Sequence, residues 1–190
     1  MSSQIILLNG TSSSGKSTLA AALQQALVPE PWLHVPIDAF FAMLPYQVMT
    51  AGLTPEQTEA ATARMVGPLL TGFHRSVAAL ADAGNHLIVD AVQGGDLLRQ
   101  FLHLLRDQKV WLVGVRCRLD EVERRERARG DRKIGMAAQQ FPQIHAHGVY
   151  DVEVDTAAMP PEMCARHIVQ VLASGVEPMA VRRLLDGLGQ

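Results

Sequence analysis

The chain has 190 residues, 48% of them hydrophobic, enough for one well-buried α/β domain over residues 1–190 and too few for two of ordinary size. A formal charge of −2 offers neither nucleic acid nor an anionic membrane a broad electrostatic attraction. No apolar run approaches a membrane span, no basic leader precedes the first run, and the two cysteines, Cys117 and Cys164, lack metal-ligand spacing, so reduced thiols and a cytoplasmic protein are expected.

In chain order, Ile5-Ile6-Leu7-Leu8-Asn9 reads as a buried strand. Gly10-Thr11-Ser12-Ser13-Ser14-Gly15-Lys16-Ser17 follows at once and satisfies G-x-x-x-x-G-K-[ST] at every fixed position. Thr18 to Leu27 then reads as an amphipathic helix that ends before Pro29. A strand, a glycine-bounded loop and a helix in this order form a phosphate cradle: backbone N–H groups turn inward, Lys16 neutralises the β- and γ-phosphates, and Ser17 holds Mg²⁺. Gly10 through Thr18 are therefore the candidate nucleotide-binding residues. The Lys16 ammonium is expected to be exposed, so that its loss would spare the fold.

A second strand is expected over residues 32 to 37, delivering Asp38 to its carboxyl end, where a carboxylate could take the proton of an attacking hydroxyl. The alternative is that Asp38 caps a helix beginning at Ala39. Phe40, Phe41, Met43, Leu44, Tyr46, Val48 and Met49, set around Pro45, are either core or an adaptable apolar wall for a small-molecule acceptor. Thr54-Pro55-Glu56-Gln57 announces a long helix that runs to Gly84-Asn85, with Gly67-Pro68 and Gly72 as places where it could break. His86 to Asp90 is a third strand that brings Asp90 to the Mg²⁺ region beside Ser17; otherwise Asp90 is a turn residue before Gly94-Gly95. Residues 109 to 115 form a nearly continuous apolar strand of the kind covered on both faces.

From Asp120 to Arg132 the chain is a charged helix with Arg125, Arg129 and Arg132 at i, i+4 and i+7. Arginines sharing a face repel one another unless anions meet them, and ATP phosphates are the candidate anions. The alternative is a solvated helix with pairs such as Glu121–Arg125 and Glu123–Arg127. With Gly130 and Gly135 flanking it, the region of about 120–148 could act as a lid that excludes water. A last strand is expected at 150 to 154, and residues 176–190 add a short helix over Pro178 to Asp186. The seven histidines show no H-x-x-x-H or H-E-x-x-H spacing, so histidine ligation of a metal is not expected. Alternating short strands and helices predict a parallel sheet with ligands at its carboxyl edge.

These motifs resemble the chloramphenicol phosphotransferase family, P-loop kinases with a nucleoside-monophosphate-kinase-like core. The likeness is closest from Ile5 to Ser17, in Pro29-Glu30-Pro31-Trp32-Leu33, from Val113 through Arg129-Gly130-Asp131-Arg132 to Ala138, and in Tyr150-Asp151-Val152-Glu153-Val154-Asp155-Thr156. The resemblance implies a P-loop NTPase fold with a five-stranded parallel sheet and a small Arg-rich helical lid. It also implies Mg²⁺ and ATP as cofactors, a small-molecule alcohol as acceptor, Lys16 and Ser17 in the phosphate site, Asp38 as base, and Arg129 and Arg132 on the phosphates. Residues 46 to 75 depart from the family pattern, and Ala91-Val92-Gln93 follows Asp90 where the family resembles a second aspartate. The same core is similar to that of zeta-type toxins, gluconate kinases and shikimate kinases, so acceptors other than an antibiotic remain open. So do a nucleotide-binding regulatory protein and a nucleic-acid 5′-hydroxyl kinase.

Overall fold

The computed structural model describes residues 3–44, 55–129 and 135–187, with the backbone alone for 55–63. Its strands are β1 (Gln4–Asn9), β2 (Trp32–Pro36), β3 (His86–Ala91), β4 (Lys109–Arg116) and β5 (Val152–Asp155). All pair in parallel, in the order β2-β3-β1-β4-β5. Every strand therefore ends at the same edge, and β1, with a neighbour on either side, delivers its following loop to the middle of that edge.

Alternation along β1 decides which helices cover which face. Ile6 and Leu8 pack with Leu19 and Leu23 of α1 (Lys16–Ala26) and with Cys164 and Ile168 of a late helix, Pro161–Ala173. Ile5 and Leu7 face the other way, toward Phe73 and Val77 of a long helix, Pro55–Asp82, and Phe101 and Leu102 of another, Gly95–Leu104. In chain order the helices after α1 are α2 (Ile37–Phe41), α3 (Pro55–Asp82), α4 (Gly95–Leu104), α5 (Leu119–Arg129), α6 (Met136–Ile144), α7 (Pro161–Ala173) and α8 (Ala180–Leu185). Two layers of helix thus enclose a sheet whose central strands are buried on both faces, which is why β1 and β4 read as apolar runs without alternation.

The elements differ from the sequence reading at their ends. The first helix starts at Lys16, two residues before Thr18, because Gly15 takes a left-handed φ of 89° and serves as its N-cap. Ile37, expected to close β2, already belongs to α2 and turns its side chain into the core. The last strand begins at Val152. Helix α3 passes through Gly67-Pro68 and Gly72 unbroken, held by Phe73, Val77 and Ala81 against the sheet, and it stops at Gly84 as expected. Its proposed cap Thr54, the rest of residues 45–54, and residues 130–134 with Arg132 lie outside the described residues. No helix among the described residues is long and apolar enough to cross a membrane.

Gly114 sits inside β4, where a side chain would be expected. A Cβ there would lie 2.8 Å from the Tyr150 ring, so the missing side chain is the space in which that ring packs. Tyr150 then places its hydroxyl 2.7 Å from His145 Nδ1, and Asn9 Nδ2 donates to it at 3.4 Å. One ring thereby ties the end of α6 to the end of β1. Gly114→Ala should overpack this contact and cost about 1–3 kcal/mol, measured by urea denaturation against wild type. A variant as stable as wild type would mean that the ring moves aside freely.

Candidate active site

The loop between β1 and α1 is shaped by its own backbone before any ligand is considered. Ser14 N–H donates to the Thr11 carbonyl at 3.2 Å, and Gly10 packs so closely on β4 that a Cβ would lie 2.5 Å from the Val115 carbonyl oxygen. Gly10, Thr11 and Ser14 are thus the loop's inner wall, buried against the sheet. Ser12, Ser13, Gly15, Lys16, Ser17 and Thr18 form the outer wall and line a cleft of about 650 Å³. The first turn of α1 has N–H groups without intrahelical partners and the positive end of the helix dipole, an arrangement suited to phosphate.

Asp90 meets this loop from β3, one strand over. Its register places it beside Leu8 of β1 and Pro36 of β2, so it is a strand residue and not the turn aspartate of the alternative reading. Ser17 Oγ donates to Asp90 Oδ2 at 2.6 Å, Lys16 Nζ lies 3.9 Å from Oδ1, and His34 Nε2 lies 3.7 Å from Oδ2. Burial by itself pushes this carboxyl up, but His34, Lys16 and Ser17 together more than reverse it and hold the group below the ordinary aspartate range. The site is therefore charged at neutral pH. Lys16 is only 6% exposed and donates to the Thr11 carbonyl at 2.7 Å, which corrects the expectation of an exposed ammonium. A neighbouring carboxylate and a carbonyl compensate its burial, as a buried cation requires.

Hard oxygen donors, a hydroxyl and an ionised carboxylate within hydrogen-bond distance, suit Mg²⁺ of the kind that takes one or two protein ligands and completes its shell with phosphate oxygens and water. Among the described residues no group of three or more His, Cys, Asp or Glu side chains could hold a metal ion unaided.

Asp38 lines the same cleft from the first turn of α2. The helix starts at Ile37 with Pro36 as its N-cap and has no side-chain cap, so capping does not account for Asp38. Behind it, Phe40 packs edge-on against Phe73 at 5.1 Å between ring centres, which assigns at least the start of the aromatic segment to the core.

Helix α5 forms the opposite wall with Arg124, Arg125, Ala128 and Arg129. Arg125 reaches the cleft but is committed: it donates to Glu121 at 2.7 Å, to the Thr156 carbonyl at 2.9 Å and to Thr156 Oγ1 at 3.3 Å. Arg124 donates twice to the same Glu121, and the two arginines pull its carboxyl down to about 2. The pairs of the solvated-helix alternative, Glu121–Arg125 and Glu123–Arg127, are both present. Arg129, one turn on, faces the cleft with Arg125.

Some of the lining escaped sequence reasoning. Thr156 through Pro161, the turn after β5, closes the cleft beyond Gly15, and Thr156 Oγ1 donates to the Ser14 carbonyl at 2.6 Å. Apart from Asp155-Thr156 at a strand's carboxyl end, nothing in that turn marks it. Arg124 and His34 were equally unmarked, because their relevance depends on which neighbours the sheet and α5 give them.

A family model described as chloramphenicol phosphotransferase-like protein matches residues 3–173. The chain belongs to the chloramphenicol phosphotransferase-like family. A candidate O-phosphotransferase of Mycobacterium tuberculosis is 35% identical over 197 aligned residues, covering 95% of this chain and 87% of that one. Among solved structures, the M. tuberculosis APS kinase in complex with AMPPNP and APS is similar with a TM-score of 0.65 and 17% identity, over 90% of this chain and 98% of that one. The tunicamycin resistance protein of Deinococcus radiodurans is similar with a TM-score of 0.58 and 17% identity, over 93% of this chain and 98% of that one. The structural likenesses carry the fold, that of P-loop kinases. Family and fold together make the chain a phosphotransferase.

His145, at the end of α6, carries a pH signature. Burial chiefly, with Arg116, His147 and Lys16 adding repulsion, pushes His145 down from 6.5 to about 4. Between those values the unfolded phosphotransferase takes up a proton that the folded one refuses, so this stabilisation is full above pH ~6.5 and is lost as pH falls through about 4. Stability should therefore drop across that window from His145 by no more than about 3 kcal/mol, reduced by solvent screening of the half-buried ring, and His145→Gln should flatten the drop in denaturant midpoints taken at half-unit steps of pH. An unchanged slope would place the protonation elsewhere.

Proposed function

We propose that the protein is a kinase that uses Mg·ATP to phosphorylate a hydroxyl group of a small molecule, with chloramphenicol or a similar antibiotic first among the candidate acceptors. The observation that carries this reading is the convergence of Lys16, Ser17, Asp90, Asp38 and Arg129 on one cleft, although they come from four different elements. The family and its curated relative support transfer to oxygen.

In this reading the loop N–H groups and the α1 terminus would bind the phosphates, and Lys16 would neutralise charge on the β- and γ-phosphates. Ser17 and Asp90 would hold Mg²⁺, which when bound offsets charge on the phosphate oxygens. Arg129, with Arg132 if it follows on the same face, stabilises the negative charge spread over the transferring group. Arg125 acts more by bracing the Thr156 turn against the loop than by direct contact. Asp38 accepts the acceptor's hydrogen bond, orients its oxygen toward the γ-phosphorus, and takes the proton as ADP leaves. Closure of α5 and α6 over the cleft would exclude water from the transfer.

The reading is tested by incubating the protein with isotopically labelled ATP and a panel of alcohols that includes chloramphenicol, sugars and nucleotide sugars, and following the gain of one phosphate by mass spectrometry. Transfer to no member while nucleotide binds tightly would favour a regulatory or toxin-type protein.

Lys16→Ala should reduce transfer at least about 10²-fold, the scale of one transition-state donor. Because Asp90 would lose a buried counter-charge, the variant should also melt at a lower temperature than wild type, seen by calorimetry. A variant with full turnover would remove the nucleotide site from this loop. Asp38→Asn should leave ATP affinity intact and lower transfer by about 10²- to 10⁴-fold. Lost ATP binding would instead move Asp38 to the metal.

A further inference from the structure

Gln140 lies on α6, remote in sequence from the phosphate loop, yet its Oε1 accepts a hydrogen bond from the Ser12 backbone N–H at 2.8 Å. The donor decides the amide's orientation, since a main-chain N–H can meet only the oxygen end of a glutamine. Ser12 is buried at the cleft's edge, where it lines the cavity with Lys16 and Arg129. Its peptide is one of those a phosphate loop must aim correctly, and no residue of the loop supplies the acceptor that holds it.

The helix that carries Gln140 is itself held. Glu126, 1% exposed on α5, accepts from the Gly135 N–H at 2.7 Å through Oε2 and from the Ala137 N–H at 3.0 Å through Oε1. A buried carboxylate at the first turn of α6 satisfies donors that the helix cannot pair internally and complements its dipole. Gln140 stands one turn further on. The Arg-bearing helix, α6 and the phosphate loop are therefore linked in series, from Glu126 through the start of α6 to Gln140 and Ser12.

We propose that Gln140 is a positioning residue for phosphoryl transfer, its amide oxygen fixing the Ser12 peptide so that the loop is shaped for the terminal phosphate of the nucleotide. The inference rests on the kinase reading of the cleft and adds a residue to it. Because Ser14 N–H is turned onto the Thr11 carbonyl and Ser12 N–H onto Gln140, the inner and the outer wall of the loop are each held by a protein acceptor. Loosening Ser12 should then weaken what the third phosphate gains and leave intact the grip of the α1 terminus on the other two.

The test compares ADP with the non-hydrolysable analogue AMPPNP, both with Mg²⁺, by calorimetry on the full chain, together with hydrogen exchange of the loop peptide. Gln140→Leu keeps the bulk and loses the acceptor. It should weaken AMPPNP at least tenfold while ADP changes less than threefold, and Ser12 should exchange faster. Gln140→Glu keeps an acceptor oxygen and should restore slow exchange at Ser12, which a general loosening of α6 by substitution would not allow. Equal losses for both nucleotides, or unchanged binding and exchange in Gln140→Leu, would overturn the assignment. Wild-type protein that binds neither nucleotide would defeat the kinase reading itself, independently of Gln140.

Discussion

A charged carboxylate inside a sheet is tolerated only if its surroundings replace the water it has lost, and the arrangement around Asp90 is organised by that requirement. Asp90 is 5% exposed on a central strand, and its compensation comes from Ser17, Lys16 and His34, which belong to the start of α1 and to β2. Removing one partner of such a buried pair typically costs about 3–5 kcal/mol. The pairing thus draws β2, β3 and the phosphate loop into one register. It also leaves a hydroxyl and a carboxylate side by side at the point where the loop opens.

The far side of the loop is held by different means. Thr156, at the end of β5, donates to the Ser14 carbonyl and accepts from Arg125, so the turn after the last strand and the arginine helix meet behind Gly15. Asp90 on one side and Thr156 on the other fix the two limbs, while Gly10 beds the base of the loop against β4. A loop of serines and glycines has little side-chain packing of its own, and most of its definition therefore comes from strands β3, β4 and β5. This is the usual division between a rigid scaffold and a loop that carries chemistry.

Arginine charge on the α5 wall of the cleft is partly met by a carboxylate of the same helix. Arg124 and Arg125 share Glu121, which lowers their availability to an incoming phosphate, and Arg129 lines the same cleft one turn further along α5. A sequence pattern of arginines at i, i+4 and i+7 shows a common face but not that Arg125 is already committed to Glu121 and Thr156. That commitment explains why the anion-binding and solvated-helix readings of the same segment each capture part of α5.

How far the site was legible before folding can be argued residue by residue. Asp90 and Asp38 are marked in the sequence because each follows a short apolar run, and they line one cleft because parallel strands with helical crossovers must end at one edge. Helix α3 was found from its start signal and Gly84, yet whether Gly67-Pro68 would interrupt it depended on Phe73 and Val77 being held by the sheet. The burial of Lys16 has no local signal, since its counter-charge Asp90 lies far away in sequence.

Local signals thus determined by themselves the phosphate loop, the parallel α/β class and the acidic residues at or just past the strand ends, because backbone conformation and burial periodicity act over a few neighbouring residues. Only the tertiary structure decided that Gln140 meets Ser12, that Thr156 meets Ser14, that Gly114 makes room for Tyr150 and that Arg125 is already engaged. Each of those contacts joins residues far apart in the chain through a hydrogen bond or a void that has no local sequence signature, and comes into being only when the order β2-β3-β1-β4-β5 sets the elements side by side.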